Sequence, residues 1–238
     1  MAPVSRSNLL TQLRSQIVTA GMPRSVDPQP RSAGNLLLTE LLSAEQERRG
    51  VLVDCLFQTP GSGASLLALL SVRERGLVVV VDQQKEFNPQ AAEGLGLDPG
   101  SLIVVTPTNP HDALWAWEQS LRSPRTTVIG RLEALPVRVQ RRLKLAVEQG
   151  GGLGIMLRPW KLRSSGAWSD LRVAVSPLPT PSESHRKLSR RLSLEVLYLR
   201  GRLERRRLVV EVDDETASLS VVSELADPIT ASRRARVS

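Results

Sequence analysis

Cysteine, histidine and aromatic residues are nearly missing from this sequence of 238 residues, which has one Cys, two His and 3% aromatics. A single cysteine, Cys55, excludes an internal disulfide, and no Cys or His spacing suits a zinc site. His111 stands at a helix start and His185 in a linker-like run. No G-x-S-x-G elbow is present, and Ser62 in GSGAS has neither the right neighbours nor an evident base. Hydrolase chemistry of the nucleophilic kind is therefore not expected. No apolar run approaches the roughly 18 residues needed to span a bilayer. The N-terminus MAPVSRSNLLTQLRSQIV has no continuous apolar stretch and no small-residue cleavage pattern, so neither a membrane role nor a signal peptide is expected. A cytoplasmic protein with a buried, reduced thiol fits these absences. With so few rings, the core must be built from Leu, Val, Ala and Ile.

What the sequence has in excess is positive charge. Thirty-two Lys and Arg against 24 Asp and Glu leave a formal net charge of +8. A basic surface favours polyanions, nucleic acid first. A GC-rich genome that writes Arg often would give the same excess.

Composition divides the chain into segments. Residues 1–34 hold an amphipathic helical pattern (Leu9, Leu13, Ile17) and a Pro- and Ser-bearing linker, MPRSVDPQPRSAG. Residues 35–178 alternate apolar runs with amphipathic segments. Residues 179–228 open on the polar run PTPSESHRKLSRR and return to strand patterns, and 229–238 form a basic tail expected to be disordered.

The central region carries the fold argument. Apolar runs at 51–57, 77–82, 101–106, 126–130 and 152–157 suit strands buried on both faces, as in a parallel sheet. Between them, Asn109 can cap a helix with Pro110 at its first position, and Asn88-Pro89 opens a shorter one. The helix after residue 63 is expected to close at Gly76. In LPVRVQRRLKLAVEQ, Val139, Leu143 and Ala146 face inward, while Arg138, Arg141, Arg142 and Lys144 read as a solvated face. This alternation implies an α/β domain with a doubly wound, mainly parallel sheet flanked by helices. SLEVLYLRG and RLVVEVD then predict a C-terminal β-hairpin with Arg202, Arg205, Arg206 and Arg207 about its turn. The acidic run Asp213-Asp214-Glu215 occupies the next turn.

The loop after the first strand, FQTPGSGASL, sits where such folds bind phosphate. On the template G-x-x-x-x-G-K-[ST], Gly63 and Ser65 fall in register. Gln58 replaces the first glycine, and Ala64 replaces the lysine that neutralises the outer phosphates. Gly61, Ser62 and Gly63 still allow backbone amides to turn inward, and Ser65 could hold Mg²⁺. The helix dipole alone contributes only about 0.3–1 kcal/mol at an exposed site. The metal-holding aspartate that should end a later strand is placed at Gly130 in TTVIGRLEAL. Asp82 and Glu133 lie near enough to be considered as substitutes, but read more simply as a strand-end acid and a solvated residue.

The run VDQQKEFNPQAAEGLGLDPGSLIVVTPTNPHDALWAWEQSLRSPRTTVIGRLEAL resembles the core of the ImuA family, RecA-like proteins of bacterial damage-induced mutagenesis cassettes. RRLKLAVEQGGGLGIMLRP, WSDLRVAVSPLP and VEVDDET…ELADP are similar to it as well, so the likeness covers roughly residues 35–228. The resemblance implies a RecA-like fold and an accessory role in translesion DNA synthesis. The implied partners are an ImuB-like Y-family polymerase homologue and, indirectly, an error-prone C-family polymerase. RecA-type ATPases carry a water-orienting glutamate after the second strand, where this sequence has Gln84. With Gln58, Ala64, Gln84 and Gly130 all departing from the pattern, neither ATP hydrolysis nor a bound cofactor is expected.

DNA contact is expected instead in LRPWKLRSSGAWSD, which follows the fifth strand. Arg158, Lys161 and Arg163 supply cations there, and Trp160 and Trp168 supply rings, a combination suited to a single strand. RecA relatives place a DNA-binding loop in a comparable position. The alternative is that the rings pack beneath the loop. Two rival functions remain: a RecA-superfamily ATPase with an atypical nucleotide site, and a SulA-like cell-division inhibitor that targets FtsZ.

Overall fold

Each of the five apolar runs becomes a strand within two residues of its expected bounds. They are β1 (Val51–Phe57), β2 (Val78–Val81), β3 (Leu102–Val105), β4 (Thr127–Arg131) and β5 (Leu153–Pro159). The computed structural model describes residues 41–42, 49–179, 189–201 and 206–226. The expected N-terminal helix and linker, His185, Arg202, Arg205 and the basic tail lie outside the described residues. A sixth strand, β6 (Leu171–Leu178), is followed by β7 (Ser189–Leu199), β8 (Arg206–Asp213) and β9 (Leu219–Ala226). All nine form one sheet in the order β3-β2-β4-β5-β1-β6-β7-β8-β9. Strands from β3 to β6 are mutually parallel, and β7, β8 and β9 add on antiparallel.

The helices follow their punctuation. In α2 (Pro89–Gly94) the Asn88 side chain accepts from the amides of Gln90 and Ala91. In α3 (Pro110–Arg122) Asn109 accepts from the Asp112 amide at 2.9 Å. Each cap satisfies amides left open at a helix start, and the proline gives up a donor that had no partner there. α4 spans Val137–Gly150. The helix after the loop, α1 (Ala64–Leu70), is shorter than expected. Beyond Leu70 the chain tightens, with Val72 N–H on Leu69 O and Arg75 N–H on Val72 O. Gly76 therefore ends a turn, not the helix.

Period-2 alternation splits the core between the two faces of the sheet. Val51, Val53 and Cys55 join α1 residues Leu67, Ala68 and Leu70 on one face. Leu52 and Met156 join Trp117 and Leu121 of α3 and Leu143 and Val147 of α4 on the other. Leu192, Leu194 and Val196 of β7 and Leu208, Val210 and Val212 of β8 belong to the first cluster. The expected hairpin thus exists, but within a three-stranded antiparallel ribbon that continues the main sheet and shares its core. The turn beyond it is where the acidic run was expected, with Asp213 Oδ1 accepting from the amides of Glu215 and Thr216. Among the described residues, no helix is long and apolar enough to cross a membrane.

Candidate functional site

Two loops leave the carboxyl ends of the adjacent strands β1 and β5. The first, residues 58–63, makes a tight turn with Ser62 N–H on Thr59 O at 3.2 Å. Gly61 and Gly63 both take positive φ, 83° and 92°, a conformation that favours glycine. A side chain at Gly63 would also collide with Leu192, whose Cδ2 lies 2.5 Å from an ideal Cβ. The β7 extension is therefore seated directly on the loop. Together with Phe57, Leu157, Arg131 and Arg190, the loop encloses a cleft of about 180 Å³. Ser62 also lines it, and its Oγ is buried with no hydrogen-bond partner among the described residues. Gln58 is exposed, Ala64 is buried in the core beneath, and Ser65 is exposed at the start of α1.

The end of β4 brings Gly130 and Arg131 to this side of the sheet. Gly130 lines the neighbouring cleft together with Ser65 and Asp82, and a Cβ there would lie 2.4 Å from Val81 O and 3.2 Å from Trp117 Nε1. The fully buried Trp117 indole fills the space where an acid would have to stand. The residue that reaches toward the loop is Arg131, which lines the cleft and lies 5.0 Å over the Phe57 ring. Its guanidinium also meets Glu86 at 2.5 Å. Sequence reasoning missed Arg131 and Arg190. A base one residue after an apolar run, on the alternate face from Gly130, was the available signal for Arg131.

A neighbouring cleft of about 230 Å³ holds Ser65, Asp82, Gln84, Glu86 and Arg131. Its acids are engaged. Both Asp82 carboxylate oxygens accept backbone amides, from Glu86 and Phe87, and Glu86 holds Arg131. Glu133 is exposed and 3.8 Å from Lys161. Gln84 is exposed, with no charge to offer water. Among the described residues no group of three His, Cys, Asp or Glu side chains could hold a metal. The RecA-like pattern implies Mg-ATP, and these residues do not fit it. The lysine position is a core alanine, the loop-facing strand end is a paired arginine, and the nearby acids are already bound.

The second loop, residues 160–170, connects β5 to β6 across β1 without an α-helix, beginning with a 3-10 turn at Trp160–Leu162. It covers a buried set of charges. Asp54 of β1, Arg158 of β5 and Arg172 of β6 are 0%, 1% and 4% exposed. Asp54 accepts from Arg158 Nη1 at 3.2 Å and from Arg172 Nη2 at 2.6 Å. Arg172 Nη1 donates to the carbonyls of Arg163 and Ser165 at 2.9 and 2.8 Å. Buried charges persist only when paired and hydrogen-bonded. Here one carboxylate neutralises guanidinium charge while Arg172 satisfies irregular loop backbone that no helix covers. Arg158 is thus withdrawn from the expected DNA-contacting set, because its head is sealed under the loop on Asp54. One acid and two bases, each alone in an apolar strand run, were the sequence signal for this cluster.

The other expected contacts do reach the surface. Arg163 lies 5.2 Å over the Trp160 ring, Lys161 is exposed, and Trp168 is 38% exposed. Arg141 of α4 lies 5.5 Å over Trp168, so the loop and the helix meet. Lys144 does not share that solvated face, as it is 4% exposed with Nζ 2.6 Å from Asp170. Arg142 Nη2 pairs with Glu118, which Arg122 also holds. Burial alone would raise Glu118, but the hydrogen bonds and charges of Arg122 and Arg142 outweigh it. They hold the carboxyl below its ordinary range. Beside Asp54, Cys55 is sealed in the core. Burial, and secondarily the Asp54 charge, pushes its thiol up to about 12.

Comparison with known proteins places this geometry. No family model matches the chain. It is 32% identical over 100 residues to Protein RecA of Treponema pallidum (strain Nichols), which is 40% of this chain and 24% of that protein. It is 25% identical over 114 residues to Protein RecA of Mycoplasma mycoides subsp. mycoides SC, 46% of this chain and 33% of that protein. The chain thus matches between about a quarter and a third of the length of these curated relatives. The crystal structure of the RadB recombinase superposes with a TM-score of 0.53, at 14% identity, covering 73% of this chain and 91% of that one. The chain has the RecA-like fold, as the superposition and the weak sequence similarity both indicate.

Proposed function

We propose that this protein is a non-hydrolysing, RecA-like accessory protein of translesion DNA synthesis. It belongs with the ImuA family that its sequence resembles, and it acts by contacts without nucleotide turnover. The observation that carries the reading is the exchange at the phosphate cradle. Ala64 stands at the lysine position, buried in the core, and Gly130, with Arg131 beside it, stands at the strand end where hydrolysis needs an acid. Among the described residues, the carboxylates lining the clefts already accept backbone amides or pair with Arg131, and Arg131 would repel a divalent ion.

Contact is the task of the second loop. Lys161, Arg163, Trp160 and Trp168 hold single-stranded DNA, the cations on phosphates and the rings on bases. The polymerase side of the complex is an ImuB-like Y-family homologue, through which an error-prone C-family polymerase is reached. The test is co-purification of the whole chain with its ImuB-like partner, with and without a single-stranded oligonucleotide and with no nucleotide added. A stable complex supports the reading, whereas no complex under either condition removes its main support.

A further inference from the structure

A helix that packs on a sheet buries one stripe and turns polar side chains to solvent on the other side. On its inner side α4 obeys this, with Leu143, Ala146 and Val147 buried. Its outer side departs from it, because Val137 and Leu145 are 60% and 54% exposed. They stand eight residues apart with Arg141 four residues from each, so the three form one row, about 12 Å long at 1.5 Å per residue. The Arg141 guanidinium is drawn over the ring of Trp168, which is also partly exposed. Among the described residues, seven large apolar side chains are exposed. Three of them, Val137, Leu145 and Trp168, gather at this one place, whereas Val104, Tyr198, Val221 and Val222 belong to β3, β7 and β9. Single surface aliphatics are ordinary, but a cluster rimmed by charge marks a contact.

Charge decides what the row fits. Arg138 and Arg141 form no ion pair among the described residues. A second copy of this chain, laid on the row, would set those cations against themselves. A nucleic-acid strand would engage the guanidiniums but leave two aliphatic side chains in water, since neither has a ring to stack on a base. A helix engages both if it carries aliphatic residues at three- and four-residue spacing with Asp or Glu along its edges.

We infer that the outer face of α4 is a docking surface for an acidic amphipathic helix of a protein partner. Val137 and Leu145 take the aliphatic side chains of that helix, and Arg138 and Arg141 meet its carboxylates. The inference rests on the proposed partnership with a polymerase homologue and names the surface of this chain that meets it.

The test is biolayer interferometry of the full chain on its immobilised ImuB-like partner over a salt series. Anisotropy of a labelled oligo-dT and sedimentation are run on the same proteins. Val137→Ala/Leu145→Ala removes the aliphatic contact and leaves the charge unchanged. Arg138→Gln/Arg141→Gln removes the cations, and Val221→Ala/Val222→Ala on β9 is a control of comparable exposure. Alanine and glutamine both favour helix, so the urea midpoint of the two α4 variants should stay at the wild-type value. The aliphatic variant is expected to weaken partner binding at least about tenfold, the effect of unburying two methylene groups. Its oligo-dT affinity should match the wild type. The arginine variant is expected to weaken partner binding most at low salt, where the lost pairs are least screened.

A wild-type complex that the aliphatic variant forms as well as the control does overturns this inference and leaves the partnership standing. No complex with the wild type overturns both. Equal weakening of partner and oligo-dT binding by the aliphatic variant assigns the row to a nucleic-acid strand and overturns the helix. Self-association of the wild type that the same variant abolishes assigns the row to a second copy, with the same consequence. A salt dependence that the arginine variant leaves unchanged refutes the acidic character of the partner.

Discussion

The loops after β1 and β5 leave neighbouring strands and differ in what holds them and in what they present. Residues 58–63 keep the backbone of a phosphate cradle, with Gly61 and Gly63 at positive φ, yet the charged side chains the cradle served are gone or replaced. Residues 160–170 have no helix to order them. They are held from below by Asp54, Arg158 and Arg172, and they present cations and rings above. On the proposed reading the backbone shape has outlasted its chemistry, with Leu192 packed against Gly63 and Arg131 lining the open cleft. A loop with no helix to order it draws its support from the core.

The comparison breaks most visibly at Asp54. Asp54→Ala leaves two buried guanidiniums without a carboxylate and should cost about 3–5 kcal/mol, the usual penalty for breaking a buried pair. The loss is read from the shift of the urea midpoint. Gln58→Ala, in the other loop, should leave that midpoint unmoved.

Restoring an acid to the cradle is the next largest. Gly130→Asp forces a side chain against Val81 O and Trp117, so overpacking should destabilise by about 1–3 kcal/mol. It should create no magnesium affinity in calorimetry. A stable variant that binds Mg²⁺ would mean that Gly130, not Arg131, faces the cradle.

Acid sensitivity sharpens the contrast more gently. Glu118 titrates lower in the folded chain than in the unfolded one. Its contribution is complete above the unfolded pKa and is lost as pH falls through the folded value. Glu118→Gln should therefore flatten the fall in stability below about pH 5, measured by denaturation at a series of pH values. An unchanged profile would assign that fall to other carboxylates.

The smallest effect is at Cys55. With its thiol held up to about 12 and buried, it should resist alkylation at pH 8 in the native protein and react only on unfolding.

Much of this was legible in the sequence, where the physics is local. Near-continuous apolar runs marked β1 to β5, and Asn88 and Asn109 marked two helix starts, because burial on both faces and capping leave direct traces. β6 was not read from its residues, since LRVAVSPL carries Arg172 and Pro177 inside the run. Arg131 was missed because strand period turns it to the face opposite Gly130, so a single expected position at the strand end did not include it. Lys144 and Arg158 were misplaced for a different reason. Each is buried only because a distant carboxylate, Asp170 or Asp54, meets it in the fold. No local pattern around a lone cation says which side it will take. Trp117 filling the space beside Gly130, and Leu192 against Gly63, likewise depend on elements far away in the chain.

The most direct test of the account is the affinity of the full chain for oligo-dT, measured with and without millimolar Mg-ATP. Equal affinities in the two conditions are the expected result, because the cradle takes no part in holding the strand. A clear change in affinity on adding Mg-ATP would contradict the account and return the loop after β1 to a working nucleotide site.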